Sequence, residues 1–252
     1  MDVLPAPLRR KLGPNWAYAA RLVLLIVAVS AVGIAAGTVV TSVTDSPRWL
    51  PADHSLAKYL HDRACDTWLW PTALGLGLLG LPLTFYLLVG ALIIFLLVCK
   101  EHPLVGYLVL TGLTGGIVDT IVKVAINRPR PMLGGCHVVG LHGKSFPSGH
   151  MMTSTISYGM LLLVLLPLVR TTWRRRAAIG FVVFALLAIV VGRSAIGAHF
   201  LSDLIAGFLL GLLWLTVATW AFSRWRVDTG HAPASASGGA DPEAVEYLSR
   251  SR

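Results

Sequence analysis

Three short polar stretches interrupt an otherwise apolar chain, and their residue types suit phosphate chemistry. In the first, Lys123 and Arg130 flank Asn127-Arg128-Pro129, with Pro131 following. Lysine supplies a point charge and arginine a planar fork that can meet two phosphate oxygens at once. Long cations at a helix end also snorkel to headgroups, so this stretch alone is ambiguous. In the second, Pro147-Ser148-Gly149-His150 opens a long apolar run. A helix starting there aims unpaired N–H groups at an anion. Gly149 lets an oxyanion approach the backbone, Ser148 adds a hydroxyl, and His150 exchanges protons near neutral pH. An ordinary cap followed by an interfacial histidine is the bland alternative. The third, Gly192 to Asp203, carries Arg193, His199 and Asp203. If His199 to Asp203 is helical, imidazole and carboxylate share a face, and the carboxylate fixes the tautomer that leaves one ring nitrogen free to attack. A His–Asp pair that only satisfies itself is the structural alternative, but ionisable pairs inside membranes are rare enough to favour function.

The elements that must position these groups are membrane spans. With 55% hydrophobic and 13% charged residues in 252, the chain has too little polar surface for a soluble globule. Apolar runs at Leu22–Val43, Pro82–Cys99, Leu104–Ile126, Met151–Val169, Ala177–Val191 and Leu204–Phe222 approach the length that crosses a hydrocarbon core of roughly 30 Å. The fifth is short. The expected fold is all-α: a polytopic six-transmembrane-helix bundle, with a segment at 1–21, a membrane domain at 22–222 and a flexible tail at 223–252. Thr67 to Cys99 is long for one span and short for two, so Pro71, the glycines at 75, 77 and 80, and Pro82 predict an interfacial or re-entrant piece before the second span.

The net charge of +9 could suggest nucleic acid, but its placement fits membrane topology instead. Arg9, Arg10, Lys11, Arg21, Lys100, Arg170, Arg174, Arg175, Arg176, Arg224 and Arg226 fall on one side of a six-span chain. By the positive-inside rule that side is cytoplasmic, with both termini, which predicts a multi-pass plasma membrane protein with its polar groups facing outward. The outer side holds Arg48, Lys58 and Arg63, with Trp49, Trp68 and Trp70 suited to the headgroup belt. Lys123, Arg128, Arg130, Lys144 and Arg193 break the rule there and invite a functional explanation. Cys65 and Cys136 both fall on that outer side and could pair or stay free; Cys99 reads as an apolar filler. Asp119, one turn before Lys123, reads as its counterion. Cys136, His137, His142 and His150 match no strong zinc spacing. The Gly-rich loop from Met132 to Ser145 could be a lid or a plain connector.

Taken in order, the three stretches resemble the signature of the type 2 phosphatidic acid phosphatase family: Lys, six residues, Arg-Pro; Pro-Ser-Gly-His; then Ser-Arg, five residues, His, three residues, Asp. The match falls on Lys123, Arg130, Pro131, Pro147, Ser148, Gly149, His150, Arg193, His199 and Asp203. Gly192, where the family usually has Ser, is the one departure. The resemblance implies a membrane lipid substrate, no cofactor and metal-independent catalysis. It implies that Lys123, Arg130, Arg193, Ser148 and Gly149 bind phosphate, His199 attacks phosphorus, Asp203 orients it, and His150 protonates the leaving oxygen. A lipid-phosphate binder or transporter, or a lipid phosphotransferase, is the competing class. Which lipid is cut is not encoded in the shared signature.

Overall fold

The computed structural model describes residues 3–4, 6–45, 50–131, 133, 136 and 143–231. Expectations for the tail from 232 onward, for most of the loop from Met132, for Arg48 and Trp49, and for His137 and His142 lie outside the described residues. The described chain is helical: α1 (Ala6–Thr44), α2 (Leu50–Ala64), α3 (Leu69–Leu78), α4 (Pro82–Val98), α5 (His102–Ile126), α6 (Gly149–Leu165), α7 (Thr172–Ala195) and α8 (Leu201–Asp228). α1 changes direction at Gly13, whose φ of 70° a Cβ would disfavour, and Pro14 restarts the helix.

Among the described residues, six segments are long and apolar enough to cross a membrane: Gly13–Thr44, Leu69–Val98, His102–Ile126, Gly149–Leu168, Thr172–Ala195 and Leu201–Asp228. The fifth, expected to be short, is 24 residues long. Its basic first turns, Arg174 to Arg176, hid its true start from a search for apolar runs. The second is broken as the Pro and Gly content predicts. α3 ends at Leu78, the chain bends through Gly80, and Pro82 opens α4 where a missing N–H costs nothing.

α6 lies at the centre, against α8 on one side and α4 and α5 on the other. Val118, Val122, Met152, Ile156, Met160 and Trp214 fill the space between them. Small residues bring α6 and α8 backbone to backbone: a Cβ on Gly211 would sit 2.9 Å from the Met152 carbonyl oxygen. Lipid offers no hydrophobic drive between helices, so this close packing is what associates them. It also sets the start of α8 beside the start of α6, where the Ser148 N–H donates to the Asp203 carbonyl at 3.0 Å.

Gly192 is explained by packing rather than by a turn. It lies inside α7, and a Cβ there would meet the Ala73 carbonyl oxygen and the Gly77 nitrogen at 2.7 Å. Its lack of a side chain lets α3 press against the helix that carries Arg193. α2 caps the same end of the bundle: His61 Nδ1 lies 2.9 Å from the Ala195 carbonyl, and Cys65 pairs with Cys136 in a disulfide. At the opposite end a fully buried Arg21 pairs with Asp228 at 2.8 Å.

Candidate active site

The end of α5, the start of α6, the end of α7 and the start of α8 converge on one polar cavity. About 250 Å³ in volume, it is walled by Gly80, Pro82, Asp119, Lys123, Arg130, Gly149, His150, Thr153 and His199. Lys123 sits in the last turn of α5, which closes on Asn127 in the left-handed conformation that asparagine tolerates. Its Nζ pairs with Asp119 Oδ2 at 2.9 Å, as the one-turn spacing predicts. Gly149 makes room for that pair, since a Cβ would stand 2.9 Å from both Lys123 Nζ and Asp119 Oδ2. Asp119 Oδ1 is buried without a hydrogen-bond partner.

Ser148 caps α6, its Oγ accepting from the Met151 N–H at 3.4 Å. It is fully buried and stands off the cavity wall, so the hydroxyl expected to meet phosphate serves the helix end instead. Gly149 and His150, the first helical residues, are on the wall. Arg193 also lies behind it. Its Nη2 contacts His150 Nε2, and its Nε is buried without a partner.

His199 is brought to the cavity by the end of α7. Gly197, at φ +67°, folds the chain back, with Ala198 N–H donating to the Arg193 carbonyl and Gly197 N–H to that of Ser194 at 3.0 Å each. That double bond pattern is the Schellman stop, which needs a left-handed residue at this position. His199 therefore precedes α8 rather than lying in it, contrary to the condition under which the four-residue spacing was expected to pair it with Asp203. The contact arises from the turn. His199 Nδ1 lies 2.9 Å from the Ser145 carbonyl oxygen and 3.7 Å from Asp203 Oδ2. A carbonyl only accepts, so Nδ1 carries the proton and Nε2 its lone pair. Nε2 faces Arg130 Nη1 at 3.3 Å, and the His150 ring centre is 6.3 Å away. Burial drives the His199 imidazole down to about 4, with Arg130 and Arg193 adding to the effect and Asp203 opposing it. Burial likewise draws the Arg130 guanidinium below its ordinary value.

Asp203 is the third residue of α8, and Oδ2 accepts the Phe200 N–H at 3.0 Å and the Ser145 hydroxyl, while Oδ1 accepts Arg128 Nη1 at 2.7 Å. Burial works against the Arg128 charge, but Asp203 and Asp45 outweigh it and hold the guanidinium above its ordinary value. The cavity continues into an apolar groove of about 460 Å³ between α4, α5 and α6, which shares Pro82 and Thr153 with it.

The family model of the PAP2 superfamily matches residues 103–226, which hold Lys123, Arg130, Ser148, Gly149, His150, Arg193, His199 and Asp203. Residues 103–226 thus form a PAP2 superfamily segment. Phosphatidylglycerophosphatase B of Bacillus subtilis (strain 168) is 29% identical over 102 residues, 40% of this chain and 49% of that protein. The match thus spans about half the length of the curated relative. Among solved structures, the fold is similar to that of a transmembrane PAP2 type phosphatidylglycerolphosphate phosphatase from Bacillus subtilis. The two share 20% identity and a TM-score of 0.60, over 76% of this chain and 94% of that one.

Within this segment, the structure assembles Lys123, Arg130, Gly149, His150 and His199 on one wall and sets Arg193, Ser148 and Asp203 directly behind them. Sequence reasoning missed Ser145, which touches both His199 and Asp203, and the partners of Arg128. A serine two residues before Pro147 carries no signal of its own. Asp45 and Asp53 did carry one: they are acids in the segment predicted to lie outside, in a chain with only 12 acidic residues, facing cations that broke the orientation rule.

Proposed function

We propose that this protein is a membrane lipid phosphate phosphatase working through a phosphohistidine intermediate. The observation that carries the proposal is His199 itself: a buried imidazole, neutral, with Nδ1 tied to a backbone carbonyl and Nε2 aimed at a cavity walled by Lys123 and Arg130. Binding phosphate needs the cations; it does not need a histidine whose tautomer is fixed for attack, which argues against a non-hydrolytic binder or transporter.

In the proposed reaction, Lys123, Arg130 and Arg193 offset the phosphate charge, and the N–H groups at the start of α6 meet its oxygens beside Gly149. Ser148 supports them as the cap. The His199 Nε2 lone pair attacks phosphorus, the bond to the lipid oxygen breaks, and that oxygen takes a proton from His150. Water, losing its proton to His150, then attacks phosphorus and cleaves the N–P bond, and phosphate leaves. Arg193 donates to His150 Nε2, so a phosphate that claims the guanidinium frees that nitrogen to take up a proton from water or from the phosphate monoanion, which it then hands to the leaving oxygen. Three fixed cations occupy the role a divalent metal would play, which supports metal-independent turnover.

The apolar groove opening from the cavity suits a hydrocarbon chain, so the substrate class is a lipid phosphomonoester or pyrophosphate: a phosphatidylglycerophosphate, a phosphatidic acid or a polyprenyl pyrophosphate. The site is proposed to face outside the cytoplasm. Lys100, Arg170, Arg174, Arg175, Arg176 and Arg224 lie at the opposite end of the bundle, and the Cys65–Cys136 disulfide lies at the site's end, as an oxidising exterior favours. The test is phosphate release by the purified protein from each of the three lipids, with and without EDTA. Release that disappears in His199→Ala and survives chelation is expected. No release from any of them would remove the proposal, and release restored only by a divalent metal would remove its metal-independent part.

A further inference from the structure

Arg128 is two residues from Arg130, yet it takes no part in the cavity wall. Its side chain is 1% exposed, and its donors are committed elsewhere. Nη1 donates to Ser202 Oγ and Asp203 Oδ1 at 2.7 Å each; Nη2 donates to Asp45 Oδ1 at 2.6 Å, Thr44 Oγ1 at 3.0 Å and Asp53 Oδ2 at 3.2 Å; Nε donates to Asp45 Oδ1 at 3.1 Å. The guanidinium lies over the Phe200 ring, 4.2 Å from its centre. A guanidinium has five N–H groups, and all five point at these partners, which leaves none for a phosphate. Asp53, on α2, accepts in addition from the Ser202 N–H at 3.2 Å and from its hydroxyl. Arg128 and Asp53 thus bind the first turn of α8 from behind, with Asp203 between them and the nucleophile.

We infer that Arg128 and Asp53 are positioning residues for His199: with Ser145 and the Phe200 N–H they hold the Asp203 carboxylate 3.7 Å from the ring, leaving the Ser145 carbonyl to orient the imidazole. The inference rests on the phosphatase reading of His199. Asp203 divides its charge among Arg128, Ser145 and Phe200 as well as His199, which limits how far it raises the ring against the lowering effect of burial. The other charged or titratable groups around that ring are Arg130 from the loop after α5, Lys123 across the cavity, His150 from α6 and Arg193 from α7. Asp119, on the same cavity wall, is tied to Lys123, so Asp203 is the carboxylate in contact with His199 that can draw a proton onto it, and Arg128 governs how strongly it does. On the other side of the clamp, Asp45 and Asp53 compete with Asp203 for the guanidinium. Removing Arg128 and removing Asp53 should therefore act on His199 in opposite senses.

The experiment is a ring titration of His199 by nitrogen-15 histidine NMR in detergent, assigned with His199→Gln, alongside kcat and KM for phosphate release. In Arg128→Gln the unshared Asp203 charge should raise the midpoint of His199 by about one pH unit, a tenfold gain in proton affinity. Asp53→Asn should leave the midpoint at or below that of the parent protein. Arg128→Lys keeps the charge but not the fork, so the midpoint should stay put while kcat falls roughly tenfold. In all three, KM should change by less than about twofold, because none of these atoms meets substrate. If Arg128→Gln does not fold, Asp53→Asn and Arg128→Lys carry the test. Midpoints that rise together, or a KM that rises about tenfold with kcat unchanged, would overturn the inference. A parent protein that releases no phosphate would remove the phosphatase reading, while the ring titration would still report on the clamp.

Discussion

Ser145 presents its backbone carbonyl 2.9 Å from His199 Nδ1, nearer than the Asp203 carboxylate at 3.7 Å, so the group that fixes the imidazole tautomer is main chain. The carbonyl is itself held, because the Ser145 N–H donates to the Arg128 carbonyl at 2.8 Å. A neutral acceptor orients the ring without inviting a second proton onto it, as a closely bonded carboxylate would. This has a direct consequence for pH. His199 attacks only when Nε2 is unprotonated, and with its value pushed down to about 4 that state persists well below the usual histidine range. A group with a lowered value loses function only as pH falls through that value. The acid limb of kcat/KM attributable to His199 is expected below pH 5, measured on a short-chain lipid phosphate in detergent. A limb near 6.5 would mean that His199 titrates as an ordinary exposed histidine.

Gly149 supplies a sharper probe of phosphate binding than removal of a cation. A methyl group there would sit 2.9 Å from Lys123 Nζ and Asp119 Oδ2, while alanine itself suits the first turn of a helix. The flexible lysine gives way and leaves the cavity. Gly149→Ala is therefore expected to raise KM by roughly tenfold with a smaller effect on kcat, since one of several ground-state contacts is displaced. Steady-state kinetics on phosphatidic acid would decide; an unchanged KM would show that Lys123 does not hold the substrate.

How much of this was legible in the sequence depended on the kind of signal. The spans and the helix break at Gly80 and Pro82 were readable because hydrophobic length and proline placement are local properties. Lys123, Arg130, His150 and His199 were readable because the family pattern preserves their spacing. Ser145 was not, because its decisive group is a backbone carbonyl, which every residue has. Nor was the tight seat of Gly192. The cause is α3, more than a hundred positions earlier, pressing its backbone on α7, and no periodicity reports a contact between distant helices. Arg128 stood in plain view beside Arg130, but only the fold reveals that its donors turn toward Asp45, Asp53 and Asp203 instead of the cavity.

The proposed orientation can be checked without activity. Gly143 and Thr172 are both exposed and lie at opposite ends of the bundle. In a Cys99→Ser background, with Cys65 and Cys136 held in their disulfide, single cysteines at these positions should respond differently to a membrane-impermeant maleimide. Gly143→Cys is expected to label in intact cells, and Thr172→Cys only after lysis. Labelling with the opposite pattern would place the site in the cytoplasm and remove an outer-leaflet lipid as substrate.

His150 and His199 can be told apart because a nucleophile and a proton donor fail differently. His199 is the proposed nucleophile and the Asp119 carboxylate on the same wall is tied to Lys123, so His199→Ala should abolish turnover on every substrate. His150 stands 6.3 Å away, centre to centre, and its proposed role is to hand a proton to the leaving oxygen. A leaving group such as nitrophenolate departs without that proton, so His150→Ala should still complete the first step on an aryl phosphate. The second step, in which water must lose a proton before the N–P bond breaks, has no such escape and should slow by about a hundredfold or more. Rapid mixing of His150→Ala with the aryl phosphate should therefore give a burst of nitrophenol near one equivalent, followed by slow turnover. An acid-labile, base-stable phosphoenzyme should accumulate in parallel. His199→Ala should show neither burst nor phosphoenzyme. A phosphoenzyme that forms in His199→Ala would move the nucleophile to another residue, and a His150→Ala protein that turns over the aryl phosphate at the parent rate would remove His150 from the second step.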